Sequence, residues 1–426
     1  MHHTNDPNLK SFIPVPEGSH FPIQNLPYGV FRRGNSPKRI GVAIGHYVLD
    51  LSVLEEAGFF SDLGRDVFSH SNINPFLGLG WRAWRKAREI ISRLLREDEP
   101  ALRDNTKIRE KAIIPINQVE MQLPVDIGDY TDFYSSKEHA TNVGTMFRGK
   151  ENALLPNWLH LPVAYHGRSS SIVVSGTNLH RPRGQAKPDN QNRPEFGPSH
   201  LMDFELEMGF FTGNGNPMGV PISIDKAQNH IFGMVLLNDW SSRDIQKWEY
   251  QPLGPFLSKN FGTSISPWIV TLDALEPFRV PGPIQEIEPL PYLRSGGNRA
   301  YDIQLEVFLQ GKNMDKPHSI SVSNLKYMYW DIFQQLAHHT ITGCNVRPGD
   351  LMASGTISGP AKENYGSLLE LTWRGAKPIP FPNGETRKFL EDNDTVIFSG
   401  WCQGNGYRVG FGEVKGKLLP AIKESL

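Results

Sequence analysis

Residues Ile231-Phe-Gly-Met-Val-Leu-Leu237 form an unbroken apolar run that ends at Asn238-Asp-Trp240. A run of this length without a charge reads as a strand covered on both faces, the kind found inside a large sheet. Ser241 then reads as the start of a helix. An aspartate closing a buried strand beside a helix start is a natural ligand position, although Asp239 could equally serve as a helix cap. Outward from this strand, from about residue 119 onward, short β-type runs dominate: Ser171–Ser175, Ile303–Leu309 and Thr395–Ser399. A helix is expected over Asn324–His339, where Tyr327, Trp330, Phe333, Gln334 and Ala337 share a face. Two Pro/Gly-rich polar segments, Arg181–His200 and Pro277–Asn298, are too long for hairpins and read as lids or interface excursions. The large unit, residues 119–426, is therefore mixed, mainly β with some α.

Residues 1–118 read differently. Arg39–Gly45 and Tyr47–Leu51 are two short strands joined by a tight turn, the mark of a small β-rich unit. Trp84, Ala87, Ile90, Ile91, Leu94 and Leu95 then recur at helical spacing among Arg85, Lys86, Arg88 and Arg96. This is an amphipathic helix, read as a surface helix with a solvated basic face. The stretch Asn105–Gln118 leads into the second unit.

At 426 residues the chain exceeds one ordinary domain, and 38% hydrophobic residues suffice for a large core. A net charge of −1 implies neither a nucleic-acid partner nor an anionic membrane. Cys344 and Cys402 offer no zinc spacing and no disulfide framework, which suits a reducing, cytoplasmic setting. Met1–Lys10 lacks the apolar core of a signal peptide, no stretch approaches a membrane span, and Lys423-Glu-Ser-Leu426 matches no lipid-anchoring motif. The serine-nucleophile elbow, the zinc-protease helix motif and the phosphate-cradling loop are all missing. Gly404-Asn-Gly-Tyr-Arg-Val-Gly410 has the wrong spacing for a dinucleotide fingerprint and reads as a strand with close backbone approach.

The local chemistry lies in carboxylates. In Asp203-Phe-Glu-Leu-Glu-Met208, strand alternation puts Asp203, Glu205 and Glu207 on one face and Phe204, Leu206 and Met208 on the other. Glu205 and Glu207 could converge on a cation, or could line a solvated face. Asp132, in Gly128-Asp-Tyr-Thr-Asp-Phe-Tyr134, is flanked by aromatics. If Asp132, Glu205, Glu207 and Asp239 meet, their mutual repulsion demands a cation, and oxygen-only ligands select Ca²⁺ or Mg²⁺, with Mn²⁺ possible.

These blocks, with Ser11-Phe-Ile-Pro14, Phe21–Phe31, Ile127–Ser136, His139-Ala-Thr-Asn-Val-Gly144, Pro156–Pro162, Asn238–Tyr250, Ala353–Gly359 and Gly404–Gly412, closely resemble the fumarylacetoacetase family over nearly the whole chain. The tail before Ser11 is not covered, and Arg181–Arg193 and Pro283–Asn298 match only loosely. The resemblance implies a small amino-terminal SH3-like barrel, a large carboxy-terminal β-roll catalytic domain and a homodimer. It implies Ca²⁺ or Mg²⁺ held at Asp132, Glu205, Glu207 and Asp239. It also implies a second Mg²⁺ at Asp239, Lys259 and Thr263, where Lys259 is expected to offer its backbone carbonyl. His139 matches the family's base and Glu370 its partner. Arg243, Gln246 and Lys259 match the groups that stabilise the developing oxyanion. Tyr134, Arg148, Tyr165, Gln246, Tyr250 and Thr356 match substrate contacts.

The activity implied is metal-dependent hydrolysis of a carbon–carbon bond in fumarylacetoacetate, giving fumarate and acetoacetate, the last step of tyrosine breakdown. A hard cation can polarise a 1,3-diketone, and a histidine held by a carboxylate can deprotonate water. Judged by themselves, the same residues have plainer readings: His139 as a capping or surface histidine, Arg148 and Lys259 as solvated charges, the tyrosines as core or rim aromatics, and Glu370 as the solvent side of an alternating strand. His338-His339 reads as structural, because adjacent helical side chains diverge by about 100°. The rival functions are an acylpyruvate hydrolase or oxaloacetate decarboxylase of the same fold, which usually lack the long amino-terminal domain, and a non-catalytic metal-stabilised protein, whose signature would be a broken His139–Glu370 pair.

Overall fold

Gly45, with φ at +56°, turns the chain tightly between two strands in the computed structural model, which describes residues 3–423. Glycine adopts that left-handed conformation at little cost. The strands are β2 (Arg39–Ile44) and β3 (Tyr47–Asp50). With β1 (Tyr28–Arg32), β4 (Ile113–Pro115) and β5 (Glu120–Gln122) they form a five-stranded antiparallel sheet in the order β4-β3-β2-β1-β5. This sheet is the core of the distinct SH3-like amino-terminal unit.

The amphipathic helix is α1 (Trp81–Leu95), with Trp84, Ala87, Ile90, Ile91, Leu94 and Leu95 buried as the spacing predicts. Its basic face is not wholly solvated: Arg88 is 1% exposed. Its guanidinium donates to the carbonyls of Gln24 and Asn25 and to the side chains of Thr4 and Asn5, so neutral acceptors replace water.

The carboxy-terminal unit is built on two sheets. The first contains β6 (Tyr130–Phe133), β7 (Ala164–His166), β8 (Ile172–Val174), β9 (Leu206–Thr212), β10 (Ile231–Asp239), β11 (Thr263–Ile265) and, later in the chain, β14 (Leu351–Ala353). Its order is β7-β6-β14-β9-β10-β11-β8, with Val270–Thr271 pairing on β10 as an eighth strand. The second runs β12 (Gln304–Gln310), β13 (His318–Asn324), β15 (Thr395–Gln403) and β16 (Arg408–Leu419), in the order β13-β12-β15-β16, closed by Leu179–His180. The fold is mixed, with more strand than helix.

The opening run is indeed covered on both faces. Met234 and Leu236 of β10 enter the core between the two sheets. Val235 and Leu237 enter a second core that also holds Val30, Val42, Phe76 and Ile91 of the amino-terminal unit. An isolated bridge between Tyr28 and Ile269 joins the units further.

Several local expectations change. The helix expected over Asn324–His339 is a turn at Leu325–Tyr327 followed by α4 (Ile332–Thr340), because Asp331 caps the amides of Phe333 and Gln334 and starts the helix there. Ser241 does not open a helix: Ser241–Ser242 pairs with Met202–Asp203, and α3 spans Arg243–Glu249. The segment 181–200 does contain a hairpin, with Arg183–Ala186 paired to Glu195–Pro198 around a wide loop. The glycine-rich stretch at 404–410 is mostly the turn between β15 and β16, although at Gly410 an added Cβ would lie 2.2 Å from His20. Among the described residues no helix is long and apolar enough to cross a membrane. Glu424–Leu426, most of the carboxy-terminal segment searched for an anchoring motif, lie outside the described residues.

Candidate active site

The face of the first sheet that is apolar along β9 and β10 becomes acidic at one end. Glu207 stands opposite Leu237, and Asp239 closes β10 opposite Thr263 of β11. Asp132 of β6 sits opposite Ala353 of β14 and Tyr165 of β7. One oxygen each of Asp132, Glu207 and Asp239 lies within 4.8 Å of the others, and all three side chains are buried. The period-two reading of Asp203–Met208 holds: Phe204, Leu206 and Met208 fill the core on the other side.

Among the described residues, neither oxygen of Glu207 nor Oδ1 of Asp132 finds a hydrogen-bond partner. Burial, then the neighbouring carboxylates, push the pKa of Asp132 and of Glu207 well above the usual carboxylate range. Buried carboxylate oxygens that repel one another and lack donors suit a hard divalent cation. Asp239 is better supplied, accepting from Thr263 Oγ1 at 2.8 Å, Tyr165 hydroxyl at 2.9 Å and Lys259 Nζ at 2.6 Å.

Glu205 lies beside this trio, between two cations. Its carboxylate meets Arg243 Nη1 at 2.6 Å and the Lys259 ammonium. Burial pushes Glu205 up, but Lys259 and Arg243 outweigh it and hold it below the usual carboxylate range. The Lys259 ammonium thus points into the acidic cluster, while its carbonyl accepts from the Gly262 amide at 3.4 Å.

His139 lies in the first turn of α2 (Lys137–Arg148), which is capped by Ser136. Its Nδ1 is 2.7 Å from Glu370 Oε2. Glu370 is not on a strand. Ser367 caps a helical turn, α5 (Leu368–Leu371), and turns Glu370 inward. Burial alone would raise the pKa of Glu370, but His139, Asn142 and Ser367 hold it below the usual carboxylate range. An ionised carboxylate can only accept, so Nδ1 is the donor, and Nε2, without a hydrogen bond among the described residues, is the ring nitrogen left to accept. The Tyr134 ring meets the imidazole edge to face at 5.2 Å.

Arg243, at the start of α3, donates through Nε to Asp203 at 2.9 Å and through Nη1 to Gln246 at 3.0 Å. Its Nη2 is buried without a partner. Thr356 is buried in the loop after β14. Arg148 and Tyr250 are less engaged: Arg148 is exposed and donates to the carbonyls of Asn152 and Ala153, and the Tyr250 hydroxyl accepts from Gln251. The two adjacent histidines go separate ways, His338 to Tyr292 and His339 to Thr131.

The residues the sequence reading missed are the supports. Asn142 and Ser358 bond Glu370, each at 2.9 Å, and Asp203 accepts from the amides of Leu368 and Leu369 as well as from Arg243. Asn142 lies three residues after His139, on the same helical face, and could have been found from that spacing. Nothing local marks Ser358 or Asp203 for these roles.

Two family models match the chain: "Fumarylacetoacetase N-terminal" over residues 24–124 and "Fumarylacetoacetate (FAA) hydrolase C-terminal" over residues 129–418. A fumarylacetoacetase from Homo sapiens is 59% identical, covering 97% of this chain and 100% of its own length. One from Dictyostelium discoideum is 58% identical, covering 97% and 99%. In the solved structure of a fumarylacetoacetate hydrolase from Exiguobacterium antarcticum, 16% identical, 93% of this chain and 99% of that one superpose with a TM-score of 0.52, a likeness of fold.

Proposed function

The chain belongs to the fumarylacetoacetase family of hydrolases, and from that premise we propose that it hydrolyses the carbon–carbon bond of 4-fumarylacetoacetate to fumarate and acetoacetate. The observation that carries this reading is the buried pair of His139 and Glu370 beside a wall of carboxylates.

Glu370 holds the imidazole so that Nε2 faces away from it and can take a proton from water. The water oxygen then bonds to the fumaryl carbonyl carbon. Arg243, Gln246 and Lys259 meet the resulting oxyanion, and the unpartnered Nη2 of Arg243 gives it a donor whose position is already fixed. When the adjacent carbon–carbon bond breaks, its electron pair stays on the acetoacetate carbon, and the proton held by His139 returns there. Tyr134, Arg148, Tyr165, Gln246, Tyr250 and Thr356 are assigned to substrate binding. The substrate is a dicarboxylate, which arginine and tyrosine hydroxyls suit. Ca²⁺ or Mg²⁺ held by Asp132, Glu207 and Asp239 with Glu205, and a second Mg²⁺ at Asp239, Lys259 and Thr263, would supply Lewis acidity toward the β-diketone oxygens.

Homodimerisation, a cytoplasmic setting, a place at the end of tyrosine and phenylalanine breakdown, and a division into two units near residue 118, with β5 still on the amino-terminal sheet, belong to the same proposal. The test is loss of fumarylacetoacetate absorbance with purified protein, before and after chelation and after metal is restored. Turnover that vanishes and returns supports the reading. Folded, metal-loaded protein without turnover overturns it and directs the assay to acylpyruvates and oxaloacetate.

A further inference from the structure

Glu249, the last residue of α3, accepts hydrogen bonds from three successive backbone amides. Oε1 takes those of Phe256 and Ser258, each at 2.8 Å, and Oε2 takes that of Leu257 at 3.0 Å. These amides open a helical turn in which Lys259 and Asn260 both donate to the carbonyl of Phe256. A carboxylate across successive amides is a strong fixing point, because each bond is charge-assisted. Side chains between helix and turn add little packing, with Leu253 94% and Phe256 67% exposed, and the backbone there is tied by the Gly254 amide donating to the Tyr250 carbonyl at 2.6 Å. Lys259, the next residue after the clamped amides, sends its ammonium to Asp239 and Glu205. The other end of the same helix carries Arg243, whose Nη1 meets the other oxygen of Glu205. The Ser258 carbonyl also accepts from the Ser242 amide, the residue before Arg243, at 3.0 Å.

We propose that Glu249 is a positioning residue for the reaction: it ties the Lys259 turn to the helix bearing Arg243 and Gln246, so that the cations on both sides of Glu205 keep one fixed geometry. This rests on the hydrolase reading above, in which Lys259 stabilises developing charge. The side chain of Glu249 bonds only the amides of this turn, not the acidic cluster, and so acts by holding the turn of Lys259 against the helix.

A double-mutant cycle tests it. Glu249→Ala should lower kcat about tenfold with KM changed less than about threefold, because misplacing a charge-stabilising group costs mainly the transition state. Glu249→Gln, which retains one carbonyl oxygen, should recover part of the loss. In a Lys259→Met background, Glu249→Ala should cost less than about twofold more. Additive losses, or no rescue by glutamine, would overturn the proposal. Amide hydrogen exchange supplies a readout independent of turnover: Phe256–Lys259 should exchange about tenfold faster in Glu249→Ala while the β10 amides keep their rate. Unchanged exchange at that turn also overturns it, whereas wild-type protein inert toward fumarylacetoacetate overturns only the hydrolase reading.

Discussion

His139 Nδ1 lies 2.7 Å from Glu370 Oε2, and their side chains are 4% and 0% exposed. The carboxylate also accepts from Asn142, Ser358 and Ser367, so it has no freedom to turn away. Glu370→Gln keeps the shape but replaces one acceptor with a donor and removes the charge that stabilises an imidazolium. Turnover should fall by roughly 10²–10⁴ with metal affinity unchanged. A steady-state assay beside a metal titration checks this, and near-normal kcat would remove His139 from the base role. The pH sign also follows. The pKa of Glu370 is lower in the fold than in the unfolded chain, so its stabilisation is present above the usual glutamate range and lost as pH falls through the lower folded value. The stability gap between wild type and variant should therefore narrow in acid.

The orphaned oxygens of Glu207 give a prediction about metal removal. Without a cation, Glu207 faces Asp132 and Asp239 with no donor. Glu207→Gln should therefore raise the melting temperature of chelated protein, because it removes one of three carboxylates whose crowding disfavours their ionisation. The same change should weaken Ca²⁺ or Mg²⁺ binding by about tenfold or more and shrink the melting-temperature gain on adding metal. Differential scanning calorimetry with and without chelator reads both effects. Destabilisation of the chelated variant would count against like-charge crowding.

The sequence made the carboxylate wall legible because strand periodicity is simple: alternate residues in 203–208 share a face, and the apolar run of β10 had to end somewhere polar. Glu370 departs from the strand reading for a physical reason. Leu368-Leu-Glu-Leu371 alternates too briefly to choose between strand and helical turn, and the Ser367 cap decides it. The split of the helix expected over 324–339 has a similar cause, the capping box at Asp331. The burial of Arg88 is invisible to helical periodicity because its acceptors, the carbonyls of Gln24 and Asn25, lie more than sixty residues away in the chain. The supports Asp203 and Ser358 were hidden for the same reason, since their partners come from distant elements.

His20 should make the protein sensitive to mild acid. Its Nδ1 accepts from the Gly412 amide at 3.2 Å, which requires a neutral ring, and burial, then Arg408, lower its pKa to about 4. A histidine depressed in the fold leaves stability intact above about 6.5 and loses it as pH falls toward 4, by about 1 kcal/mol for each pH unit. His20→Gln retains an acceptor without the titration. Urea unfolding at pH 7.5 and pH 5 should show a smaller acid loss in the variant. Equal losses in both proteins would clear His20.

Arg88 anchors the amino-terminal tail, and its removal should be costly. The guanidinium serves four acceptors, on Thr4, Asn5, Gln24 and Asn25, and none carries a charge. Burial lowers its pKa only to about 10, so it remains a cation at neutral pH, held by carbonyl and side-chain dipoles. Arg88→Met fills much of the same volume but leaves the carbonyls of Gln24 and Asn25 without the donors they face. Each buried unsatisfied acceptor costs about 1–3 kcal/mol, so the loss should reach about 3 kcal/mol or more. Arg88→Lys should recover little, since one ammonium cannot span a fork-shaped set of acceptors. The tail should loosen as well, because Asn5 also donates to the Asp273 carbonyl of the carboxy-terminal unit at 2.7 Å. Faster proteolysis within residues 3–10, together with a lower urea midpoint, is the expected outcome. A change below about 1 kcal/mol would mean that water reaches those carbonyls once the guanidinium is gone.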